Sequence, residues 1–149
     1  MLNTIHSFLK KHLASVEEKQ DDEQALQLAT ATLLMEVARA DTRVTAEERQ
    51  AIRRVIEEQF GLAPDATREL TESAEHAAEH ATSLYPVTSL INAECSLQDK
   101  IQIIRMLWEV TLSDGHKDDH EEHLVRKLAR LLHVPHREFI RAKLHVVER

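Results

Sequence analysis

Apolar residues recur every three to four positions along almost the whole chain, and almost nothing interrupts them. Two glycines and three prolines are all the strong turn formers in 149 residues. A sandwich or barrel needs turn chemistry every eight to twelve residues or so, which this sequence does not have. The helical period therefore decides the class: an all-α single domain, with a hydrophobic content of 42% sufficient for a real core.

The stripe Leu2, Ile5, Phe8, Leu9, Leu13 and Val16 marks a first amphipathic helix. The polar run Glu17 to Glu23 breaks the pattern and reads as a connection. The expected division is thus 1–22, an N-terminal amphipathic helix with its polar connection, and 23–149, the helical domain proper. A second helix is expected from Glu23 to Ala40, burying Leu26, Ala29, Leu33 and Val37. Thr45-Ala46-Glu47-Glu48 is a capping box and opens a third helix with Ile52, Val55 and Ile56 inside; Gly61 suits its left-handed end. Further helices are expected from Pro64 to Thr82, from Val87 to Ala93 after a break at Tyr85-Pro86, and from Ser96 to Leu112. Asp118 to Glu121 forms another capping box opening a helix to His133, and Pro135 starts a last helix burying Phe139 and Leu144. The total is seven to eight helices.

An internal repeat organises them. Met35-Glu36-Val37-Ala38-Arg39-Ala40-Asp41 aligns with Trp108-Glu109-Val110-Thr111-Leu112-Ser113-Asp114, 73 positions later. The same offset pairs Glu48 with Glu121, and Ala51-Ile52-Arg53-Arg54 with Leu124-Val125-Arg126-Lys127. Each copy is helix, aspartate-opened loop, capping box, helix. Two copies predict two pseudo-symmetric helix-loop-helix halves rather than an open solenoid.

Each loop has the back half of a calcium loop. With Asp114 at the fifth position, Gly115 falls at the sixth and Glu121 at the twelfth. The front half is missing, because Val110 and Leu112 stand where ligands would be, and Thr42 replaces the glycine in the first copy. An autonomous calcium loop is not expected in either copy, but a hard cation could bind if both loops contributed. Glu36, Asp41, Glu109 and Asp114 are the best-placed carboxylates. On the residues alone a second reading stands ahead of metal ligation: Glu48 and Glu121 as capping residues, Asp41 and Asp114 bonding the amides of their own turns, Glu36 and Glu109 solvated.

The segments Leu34 to Asp41 and Leu107 to Val110, with Ser113-Asp114-Gly115, resemble the signature of the TerB-like domain, found in bacterial tellurite-resistance proteins and at the N-terminal end of DjlA co-chaperones. His120-Glu121-Glu122-His123-Leu124-Val125-Arg126-Lys127-Leu128-Ala129 is similar to stand-alone bacterial members of the family. The resemblance covers Glu23 to Leu144. It implies an all-helical, non-catalytic domain of two pseudo-symmetric halves, acting in bacterial stress response or an envelope-associated assembly. It also implies divalent-cation binding, calcium included, at Glu36, Asp41 and Glu48 in the first half and at Glu109, Asp114 and Glu121 in the second. There is no J-domain signature, so co-chaperone activity is not implied.

Other classes are weaker. The net charge of −7 disfavours nucleic acid as partner. Cys95, the lone cysteine, excludes a disulfide framework and a multi-cysteine zinc site. There is no phosphate loop, nucleophile elbow or dinucleotide fingerprint, so no enzyme and no organic cofactor are expected. His120-Glu121-Glu122-His123 is one residue short of a zincin motif, and the pairs His76/His80 and His116/His120 read as solvated or adventitious. Lys10 and Lys11 follow the apolar stretch, the wrong order for a secretory signal, so the cytoplasm is the expected compartment. Residues 2–16 offer peripheral membrane contact or a partner helix, against the alternative of packing on their own domain. The reading is a divalent-cation-binding module, calcium ahead of magnesium, with an unidentified protein partner. A metal-independent interaction module and a peripheral membrane adaptor are the alternatives.

Overall fold

The computed structural model describes residues 16–41, 44–113 and 119–148, excepting the side chains of 16–20 and 41. Within them the chain forms α1 (Val16–Ala38), a 3-10 turn (Arg39–Asp41), α2 (Ala46–Phe60), α3 (Pro64–His80), α4 (Tyr85–Glu94), α5 (Leu97–Thr111), α6 (Asp119–Leu131) and α7 (His136–Val147). There is no strand among the described residues, so the all-α class holds. Residues 2–15 of the helix expected at 2–16 lie outside them, as do Asp114, Gly115, His116 and Asp118.

Local chemistry sets most boundaries. The Thr45 amide donates to Glu48 Oε1 at 3.0 Å and the Glu48 amide to Thr45 Oγ1 at 3.1 Å, so the capping box forms. Ser96 and Asp99 repeat the arrangement at the start of α5. Gly61, at φ +63°, closes α2 and donates its amide to the Glu57 carbonyl at 2.9 Å. α6 also ends through a left-handed residue, but here it is His133, at φ +59°.

Three expectations are corrected. Glu17 to Glu23 is not a connection: it lies within α1, which runs unbroken from Val16, so the boundary drawn after residue 22 falls inside a helix. Glu, Lys and Gln are strong helix formers, and residues 21–25 are exposed, so that part of the helix has no buried face to leave a period. Tyr85-Pro86 is not the break either. Both sit in the first turn of α4, where a proline is tolerated, and the chain turns at residues 81–84. Finally, Leu144 is 48% exposed, and Ala142 is buried with Phe139 instead. α7 packs on α5, and the register that buries Phe139 and Ala142 turns Ile140, Leu144 and Val147 outward.

The repeat is visible in the helix ends. α1 and α5 stop 73 residues apart, and α2 and α6 start 73 residues apart. Each half has a third member: α3 packs on α1, and α7 packs on α5. The halves cross over. α2 lies against α5 of the other half, α6 lies against the end of α1 and the 3-10 turn, and α4 connects the halves while packing on α1. One contiguous core results. Met35 and Trp108, equivalent in the repeat, are both fully buried, and Trp108 meets Phe139 at a centroid distance of 5.2 Å.

Candidate functional site

The acidic positions divide by element. Glu48 and Glu121 stand three residues into α2 and α6, at the equivalent place in each half. They are buried to 5% and 4% exposure. For Glu48 the reason is partly structural, because Oε1 holds the Thr45 amide. Its other oxygen, Oε2, is also buried and has no hydrogen-bond partner among the described residues. A carboxylate oxygen taken out of water without a donor is costly. A cation beside it would remove that cost, so this residue fits a divalent ion. Glu121 is engaged with other groups of the chain.

Glu36 and Glu109, one on the last turn of each half's first helix, line separate crevices. Glu36 opens on a crevice of about 420 Å³ with Lys127, Leu131, Tyr85, Ser83 and Thr88. Glu109 lines one of about 450 Å³ with Arg54, Glu58, Leu112, Ser113 and Val146. The charged residues that line them follow the repeat. Lys127 is the equivalent of Arg54, and Glu109 of Glu36, so each crevice sets one half's acid against the other half's base. Periodicity shows the offset but not this crossing, which needs the packing of α6 on α1 and of α2 on α5. Burial raises the Glu36 carboxyl above its ordinary value, and the Arg39 guanidinium partly offsets this.

Asp41 ends the 3-10 turn, which places its backbone at the mouth of the first loop. Among the described residues no three His, Cys, Asp or Glu side chains gather closely enough to hold a metal. Glu36 and Glu109 therefore do not join in one cluster with Glu48 and Glu121 there.

Away from the loops, Arg49 donates to both oxygens of Glu75, at 3.1 and 2.7 Å, and ties α2 to α3. This bond holds the Glu75 carboxyl below its usual value. Lys143 bonds Glu122 Oε1 at 3.3 Å and lies 5.2 Å from the Trp108 ring centroid. Burial, helped by Asp99, pushes the Cys95 thiol up, which suits a packed residue rather than a nucleophile. His76, His80, His120 and His123 are exposed. No described helix is long and apolar enough to cross a membrane.

Two crossed three-helix halves, each with a buried acid at the start of its second helix, define a small all-α module. The family model described as tellurite resistance protein TerB matches residues 27–144, most of the chain. The chain belongs to the TerB family, which is generally non-catalytic. Comparison with curated proteins and with solved structures gives no match.

Proposed function

We propose that this protein is a non-catalytic binding module of a bacterial stress-response or envelope-associated assembly, and that it ligates a divalent cation through its two acidic loops. Asp41 and Glu48 would serve one loop, and Asp114 and Glu121 the other, with Glu36 and Glu109 on the adjoining helix ends. The buried Oε2 of Glu48, without a hydrogen-bond partner among the described residues, is the observation that carries the reading. An all-oxygen donor set of carboxylates favours a hard ion, and loops of this kind suit calcium better than magnesium with its strict octahedron. The bound ion supplies positive charge where like charges otherwise repel. Fixing each loop fixes the crossing of α2 over α5 and of α6 over α1, and with it the two crevices that a protein partner would meet. The cytoplasm is the proposed compartment.

A thermal melt with calcium or with chelator tests this. An ion present at one hundred times its Kd stabilises the native state by about 2.7 kcal/mol, a shift of roughly 5–10 °C in a domain of this size. Glu48→Gln should remove most of that shift while leaving the chelated melt nearly unchanged. Equal calcium responses from Glu48→Gln and the wild type would leave the acids as helix caps and favour a metal-independent interaction module.

A further inference from the structure

α3 ends in a feature that the acidic loops do not use. His76 and His80 lie four residues apart near its C-terminal end, so one helix face carries both rings. The rings are exposed, with centroids 4.2 Å apart and planes inclined by 37°. His80 Nδ1 lies 2.9 Å from the His76 carbonyl oxygen. A carbonyl oxygen can only accept, so Nδ1 is the donor in this contact, and in the neutral ring Nε2 is then the nitrogen that offers a lone pair. Metal-binding histidines are commonly oriented in this way, the far nitrogen donating to a carbonyl while the near one ligates. The helix ends at His80, where the backbone dipole favours positive charge. Glu72 and Glu79, exposed on the same helix, add to that field.

We propose that His76 and His80 form a two-imidazole site for a divalent transition ion of the zinc or copper class. Imidazole nitrogen selects these ions over calcium, so the site is chemically independent of the acidic loops. No third His, Cys, Asp or Glu completes a cluster among the described residues. Water or an external donor fills the remaining positions, as in an exchangeable site rather than a structural one.

The test is a calorimetric titration of the full chain with zinc in calcium-saturated buffer. Single variants His76→Gln and His80→Gln and the double variant are run beside the wild type. Far-UV circular dichroism checks that each variant folds, which exposed positions should permit. Each single variant should lose at least about tenfold in affinity at one site, since even loss of an outer-shell partner costs that much. With copper, electron paramagnetic resonance should show two nitrogen ligands in the wild type, and that signal should be lost in the double variant. Zinc binding that is absent, or unchanged in the double variant, overturns the proposal. A normal calcium response alongside either result keeps this question separate from that of the acidic loops.

Discussion

Glu36 and Glu75 are held in opposite electrostatic senses, and pH separates them. For Glu36, burial disfavours the charged form, so its folded value lies above the unfolded one. The strain is absent in acid and develops as pH rises through the unfolded value towards the folded one. Glu36→Gln should therefore raise Tm slightly at neutral pH, by no more than about 1–2 °C because solvent screens this partly exposed group. That gain should shrink towards pH 4, as differential scanning calorimetry across pH would show. For Glu75 the Arg49 bond lowers the folded value. Its contribution is complete above the unfolded value, near 4.5, and is lost as pH falls through the folded one. Arg49 is 42% exposed, so solvent screening limits the pair. Glu75→Gln should cost less than about 1 kcal/mol at pH 7 and nothing in strong acid. The capping role of Glu48 was readable from Thr45-Ala46-Glu47-Glu48, because a capping box is local. Its bare second oxygen was not, because burial depends on what packs over the helix start.

Helix ends show where local sequence governs. Gly61 sits at φ +63° with open space where a Cβ would point. The cost of Gly61→Ala is therefore backbone strain alone, about 1 kcal/mol by denaturant melting. His133 does the same work at φ +59° without a glycine's freedom. His133→Gly should stabilise by a similar amount, and a loss would mean that the His133 side chain contributes more than its backbone strain costs. The starts of α2 and α5 were legible because their caps lie in adjacent residues. The start of α1 and the outward face of α7 were not. An exposed polar helix leaves no apolar period, and Leu144 differs from Phe139 only in which side meets α5.

At the scale of the molecule, one offset of 73 residues predicted two equivalent halves, and the helix ends keep it. It did not reveal the third helix of each half, because α3 and α7 share no obvious motif. Nor did it reveal the crossing, by which Glu36 shares a crevice with Lys127 and Glu109 shares one with Arg54. That crossing makes each crevice depend on both halves, so an ion held in either loop should be felt at both. We propose that the acidic loops bind a divalent cation. Calorimetric titration of calcium into chelator-stripped protein tests it most directly, with magnesium as the comparison. Saturable binding is expected, tighter for calcium than for magnesium, and abolished by Asp41→Asn together with Asp114→Asn. Absence of binding heat, or binding that survives the double substitution, would contradict it.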